Sequence, residues 1–312
     1  MLVALALTLG GLAVLPLAAD RFVVSAGRIS HALGLSPILV GALLVGFGTS
    51  LPEMVVSGLA AAKGDPDFAV ANVIGSNVAN LGLVLGVAAL MRPISAGRAL
   101  IRKEGTLVLI VTLLYVALHI NGDVERWEGV VLAIVLGLTL GLLIRWSRAS
   151  ILDEAGEDLS TMVTVRRELV VGLVTMVFTV GAATALVEGA ERLAIELDIQ
   201  SAFIAATLVA VGTSLPELAT AVAAVRRNQS DLVLGNVLGS NLFHALAVGG
   251  IAALIGPGVI DPGFTPLLWL LLGVTVGAGL LIATGGRLVR WEGAVLILGF
   301  VAFVAVAGST LA

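Results

Sequence analysis

Cysteine is absent from this chain of 312 residues, which excludes disulfides and thiolate metal sites. Charge is scarce. Asp, Glu, Lys and Arg make up 12% of the residues, against roughly 25% in soluble domains. No basic block offers a surface to nucleic acid. Aromatic residues amount to 4%, with a single tyrosine. What fills the chain instead is apolar: 59% hydrophobic residues and a mean hydropathy of +1.11. This composition belongs to an integral membrane protein with many spans, whose solvent is the lipid bilayer. The formal net charge of −4 carries little weight, because the charges cluster at segment ends. The 38 glycines suit helices packed closely in lipid.

Apolar runs of spanning length, roughly 17–25 residues, occur ten times. They lie near 2–20, 37–62, 67–91, 104–120, 128–146, 168–190, 201–225, 231–255, 265–284 and 291–311. The first lacks a basic leader and is read as a membrane helix, not a signal peptide. Ser36-Pro37 and Asp65-Pro66 each read as an N-cap followed by proline at the first helical position. Trp127 and Trp146 bracket the fifth run, about 28 Å apart on a helix rising 1.5 Å per residue, and are expected to anchor it at the two interfaces. If the N-terminus lies outside, only Lys63, Arg126 and Arg192 of the 17 basic residues fall outside. That positive-inside bias supports ten spans in the cell membrane with both termini extracytoplasmic. The polar stretch 148–167, with Asp153, Glu154, Glu157 and Asp158, is expected to be a solvated cytoplasmic linker.

Gly48-Thr49-Ser50-Leu51-Pro52-Glu53 returns unchanged as Gly212-Thr213-Ser214-Leu215-Pro216-Glu217, an offset of 164. The same offset pairs Asp67 with Asp231, Asn72 with Asn236, and Gly75-Ser76-Asn77 with Gly239-Ser240-Asn241. Each half holds five runs. Five is odd, so the second half must enter the membrane with the opposite orientation. The expected fold is all-α: ten transmembrane helices as two inverted five-helix repeats. The first covers 1–147 with its motif region at 41–86, and the second 168–312 with its motif region at 205–250. Inverted repeats of this kind are common in secondary transporters, whose sites lie near the midplane where broken helices meet.

The motif supplies a reason for such a break. Pro52 has no N–H for the carbonyl of Gly48 and its ring crowds that carbonyl. A carboxylate in the membrane is costly and marks a functional site. Thr49, Glu53 and Ser57 share a helical face with Gly46 close in phase, and Ala210, Thr213, Glu217 and Thr220 repeat the pattern. Asn72, Ser76 and Asn80 form a second stripe, matched by Asn236, Ser240 and His244; Asn77 and Asn241 lie slightly off it and are candidates for bonds to neighbouring helices. Oxygen donors select hard cations. Two bidentate glutamates with two carbonyls, those of Gly46 and Ala210, reach about six of the 6–8 oxygens that Ca2+ takes. Two negative charges neutralise one Ca2+ or two Na+, which is the logic of an antiporter. The contrasting reading for the hydroxyl and amide residues is plain interhelical bonding. Two other functions fit these residues less well. A channel would place its selectivity groups in an oligomeric ring or filter, whereas a self-contained pair of repeats is expected to work as a monomer. An intramembrane hydrolase could use Ser214 or Ser240 with His244 as base, Ser240 and His244 being four residues apart, but leaves the duplicated glutamate without a role.

At these residues the sequence resembles the sodium/calcium exchanger family. Gly48–Glu53 with Gly75–Asn80 looks like its first repeat motif, and Gly212–Glu217 with Gly239–His244 like its second. The resemblance implies a prokaryotic-type antiporter, with no enzymatic activity and no cofactor, and with Ca2+ and Na+ as transported ions. It implies sites formed by Glu53, Glu217 and Asn80: calcium on the two glutamates and nearby carbonyls, sodium on the glutamates with Thr49, Ser50, Ser76, Thr213, Ser214 and Ser240. It also implies that spans 1 and 6 slide across the rest. His244 departs from the Asp or Asn usual at its position. It reads either as a neutral imidazole standing in for an amide or as a proton-coupling group. The second makes Ca2+/H+ or other cation/proton exchange the alternative function.

Overall fold

The computed structural model describes residues 1–154, 165–196, 212 and 214–310. Nearly all of them are helical. We number the helices α1 (Leu2–Leu33), α2 (Pro37–Thr49), α3 (Leu51–Ala62), α4 (Pro66–Met91), α5 (98–119), α6 (Arg126–Glu154), α7 (Val165–Glu196), α8 (Leu215–Arg226), α9 (Ser230–Ile255), α10 (Phe264–Gly285) and α11 (Arg290–Thr310). Seven of these are long and apolar enough to cross a membrane; α2 and α3 together make an eighth if the bent pair is one span. The protein is therefore a helical, multi-pass membrane protein. α5 is not among the eight, because its first turns carry Arg102, Lys103 and Glu104 and leave an apolar helix of 14 residues, Thr106–His119. The run expected at 201–225 falls partly outside the described residues.

Local signals set the helix boundaries. The Leu39 amide donates to Ser36 Oγ at 3.2 Å and the Phe68 amide to Asp65 Oδ1 at 3.0 Å, so both expected caps form. The first helix runs well past the expected end near residue 20. Its polar residues are accommodated, Asp20 by Arg227 and Arg28 by Glu168, and it stops at Gly34 with φ 59°. A left-handed residue there closes the helix, and glycine takes that conformation at the least cost. Likewise α6 and α7 reach into the stretch expected as linker, as far as Glu154 and from Val165; residues 155–164 lie outside the described residues.

α4 and α9 form the centre: 78% and 83% of their apolar windows are buried, against 22–33% for the other intact spanning helices. Large apolar side chains of α1, α6, α7, α10 and α11, such as Leu9, Ile134, Phe178, Leu280 and Leu298, face outward, as lipid-facing residues do. Two strand pairs tie the ends of the halves together. β1 (Ile94–Ser95) pairs antiparallel with β4 (Arg287–Leu288), and β2 (Asp123–Val124) with β3 (Gly258–Val259). The 164-residue offset carries β1 onto β3 and β2 onto β4, so the second pair repeats the first with the halves exchanged.

Candidate ion site

The broken helix comes first. α2 contains a π-helical turn at Gly41–Gly46 and ends at Thr49. Ser50, with φ −86° and ψ −1°, separates it from α3, and the two helices differ in direction by 44°. Pro52 sits in the first turn of α3, where a missing N–H costs nothing further. Glu53 follows it into the interior. In the second half Ser214 leads into Leu215, Pro216 and Glu217 of α8 in the same way.

The central helices add their own irregularity. α4 widens to a π-helical segment at Asn80–Val84, and α9 at His244–Val248. The offset maps one onto the other, and each begins at a candidate ligand. Single π turns inside helices concentrate at functional sites, because one extra residue per turn re-aims a side chain. The two helices meet at equivalent residues, Asn241 Nδ2 donating to the Asn77 carbonyl at 3.4 Å. α2 lies hard against α9: a β-carbon on Gly46 would stand 2.9 Å from the Ser240 nitrogen.

These elements bring Glu53, Glu217 and His244 together. One carboxylate oxygen from each glutamate and one ring nitrogen lie within 4.8 Å of one another, and all three residues are at most 1% exposed. None of these carboxylate oxygens or imidazole nitrogens has a hydrogen-bond partner among the described residues. The side chain of Asn80 and the hydroxyl of Ser214 are equally buried and equally unpartnered. Buried polar groups are nearly always satisfied, and an unpaired one costs about 1–3 kcal/mol. The two carboxylates and the imidazole gather such orphans at one point, which suits a site built for something that brings charge.

The remaining candidates are buried but engaged. The Gly46 carbonyl is a hub, accepting from the Ser50 amide at 3.1 Å, from Ser50 Oγ at 2.7 Å, and from Thr49 Oγ1 and Ser240 Oγ at 3.3 Å each. Thr49 Oγ1 also donates to the Val45 carbonyl at 3.0 Å. Ser76 Oγ donates to Asn72 Oδ1 at 3.3 Å, and Asn72 Nδ2 to Ser57 Oγ at 2.8 Å. Asn236 Nδ2 donates to Thr220 Oγ1 at 3.1 Å. Ala210 and Thr213 lie outside the described residues. Sequence reasoning had placed Asn72, Asn236, Ser57 and Thr220 on the right faces without seeing that they bond in pairs. It gave no signal for Met176, whose side chain comes in from α7 against Gly48, where a β-carbon would overlap its sulfur. The geometry does not favour the hydrolase reading: the Ser240 hydroxyl bonds to the Gly46 carbonyl, and neither nitrogen of His244 has a partner among the described residues.

A buried cluster of two carboxylates and an imidazole inside a bundle of membrane-spanning helices points to a membrane protein that handles cations. The comparisons with known proteins say which kind. The profile of the family described as sodium/calcium exchanger protein matches residues 3–145 and 168–308, and the chain belongs to that family of membrane antiporters. It is 35% identical over 315 residues to the putative antiporter CaxA of Alkalimonas amylolytica, covering 97% of this chain and 98% of that one. It is 30% identical over 336 residues to the sodium/calcium exchanger MaX1 of Methanosarcina acetivorans, covering 95% and 96%. Among solved structures, the sodium-calcium exchanger NCX_Mj soaked with 2.5 mM Na+ and 10 mM Sr2+ superposes with a TM-score of 0.86 at 29% identity, over 97% of this chain and 98% of that one.

Proposed function

We propose that this chain is a secondary antiporter exchanging Ca2+ for Na+ across the cell membrane by alternating access to one midplane site. Ten spans carry it, as inverted repeats at 1–147 and 168–312 with both termini outside. The observation that carries the reading is the meeting of Glu53 and Glu217, repeat equivalents, as unpartnered carboxylates in an apolar interior. Two carboxylates balance one divalent ion or two monovalent ions, so the same site can carry either load. His244 lies with them, and Asn80 and Ser214, buried and unpartnered, are proposed to complete the lining. Thr49, Ser50, Ser76, Ser240 and the Gly46 carbonyl are proposed as further ligands, released from their present hydrogen bonds by small rotations. Ala210 and Thr213 are proposed to complete the set from the second repeat. MaX1 and NCX_Mj are sodium/calcium exchangers by name, which favours Na+ as the coupling ion.

Alternating access is supported by how α1 and α7 sit. They share a larger interface with each other than any other described pair of elements. Their approach is close: a β-carbon on Gly11 would stand 2.6 Å from the Ala182 carbonyl oxygen. α1 also lies along α8 and is bonded to the turn after it by Asp20 and Arg227, while α7 makes no comparable contact with α3 among the described residues. α1 and α7, equivalent under the 164-residue offset, thus pack differently against the equivalent helices α8 and α3. Exchanging that difference is the movement we propose for the cycle.

The test is uptake of Ca2+ into proteoliposomes holding purified protein, driven by an outward Na+ gradient and, in parallel, by an outward proton gradient. Uptake that follows the Na+ gradient is expected. Uptake indifferent to Na+ overturns the reading, and uptake driven by protons alone replaces it with proton exchange.

A further inference from the structure

His244 brings the one nitrogen donor into a cluster whose other described ligand atoms are oxygen, and that donor decides which divalent ions fit. We propose that the site also takes first-row divalent cations such as Mn2+, Co2+ and Zn2+, bound by His244 with Glu53 and Glu217, and that it favours them over Ca2+. The proposal rests on the antiport reading above and names a further class of cargo for the same site.

Ca2+ is a hard ion that gathers 6–8 oxygens. A neutral imidazole is a borderline donor and suits first-row divalent ions, with which carboxylates also combine. In the first repeat the equivalent position is Asn80, whose amide oxygen is a calcium-type ligand. In the second it is His244, which has no such oxygen. Each of the two glutamates brings an oxygen within 4.8 Å of a ring nitrogen of His244. Around a metal at about 2.1 Å from its donors, neighbouring ligand atoms stand about 3–3.5 Å apart. A modest closure of three side chains therefore brings all three onto one ion.

The surroundings of His244 also say that such an ion would be carried and not kept. In resident metal sites the second ring nitrogen donates to a carboxylate, carbonyl or water, which fixes the ring and strengthens the ligand. Here neither nitrogen has a partner among the described residues. An imidazole without that support is free to turn and let its ion go, as an alternating-access cycle requires.

The experiment uses the purified full-length protein in detergent with Mn2+ added, read by pulsed electron paramagnetic resonance. Wild type is expected to show modulation from a directly bound 14N nucleus. His244→Asn and His244→Asp should bind Mn2+ without it. The ratio of Ca2+ to Mn2+ needed for half displacement should fall roughly tenfold or more in His244→Asp, since losing a ligand costs at least what losing a group that merely supports a ligand does. Absence of the nitrogen signal in wild type overturns the proposal, as does its survival in the His244 variants or an unchanged displacement ratio. Should those variants not fold, His31→Asn and His119→Asn assign the signal by elimination, and its loss in either overturns the proposal. The Na+-driven Ca2+ uptake described above is scored separately. Uptake without nitrogen binding leaves the antiport reading standing and removes this one; nitrogen binding without Na+-driven uptake does the reverse.

Discussion

Glu53 and Glu217 are the residues on which the rest depends. A buried carboxylate without a partner is a liability to the folded state and persists where it does work. Glu53→Gln and Glu217→Gln should each abolish Ca2+ exchange in proteoliposomes. The ion-free protein should keep or raise its melting temperature in detergent, because the substitution removes a buried charge without changing volume. Exchange surviving in Glu217→Gln would mean that the ions bind elsewhere. Both glutamates were legible in the sequence because a charge in an apolar run is conspicuous and this one occurs twice. The hydroxyls were legible only as candidates. Spacing put Thr49, Ser50 and Ser240 near the carboxylates, yet they donate to the Gly46 and Val45 carbonyls, because a bent turn in an apolar interior exposes acceptors that the nearest O–H groups satisfy.

At the scale of elements, what matters is how closely α2 lies on α9. Gly239 faces Ala42, where an added β-carbon would come within 2.7 Å of the Ala42 Cβ, with rigid backbone around it. Gly239→Ala should therefore destabilise the protein by about 1–3 kcal/mol, read as a lower melting temperature, and weaken exchange by displacing Ser240 and His244. Gly273 on α10, with nothing within 4 Å and an outward-facing position, is the control; Gly273→Ala should leave both measurements unchanged or slightly raise stability. Glycine counts suggested close helices without saying which ones. The π turns at Asn80 and His244 were not legible at all: a regular 3.6-residue period places both stripes up to those residues and carries no sign of the extra residue in the turn. The helix starts at Ser36 and Asp65 were legible because capping is local chemistry, whereas the length of α1 depends on ion pairs with residues far along the chain.

Across the whole molecule, the contacts divide into those that hold the frame and those that should change in the cycle. The absence of cysteine makes this directly testable. Ser95 and Arg287 face each other in β1 and β4. A disulfide between Ser95→Cys and Arg287→Cys should form on treatment with copper phenanthroline and oxygen and leave exchange intact, since both strands belong to the frame. Asp20 and Arg227 join α1 to the turn after α8, with Arg227 Nε donating to Asp20 Oδ1 at 2.7 Å. Bridging Asp20→Cys to Arg227→Cys with a short bis-methanethiosulfonate reagent, which forms a disulfide at each cysteine and releases methanesulfinate, should stop exchange until the bridge is reduced. Uninterrupted exchange would mean that α1 does not move relative to that turn.

The two strand pairs also bear on how the protein comes into being. β1 has no partner until β4 leaves the ribosome, and β2 waits for β3. α4 packs against both α9 and α11, and α6 against the end of α9, so neither half has a finished flank of its own. The first half must therefore reside in the membrane for much of translation with its central helix exposed to lipid or to the insertion machinery. Such late, long-range closure is slow. The candidate ion site, formed by residues from both halves, can exist only once both are in the membrane.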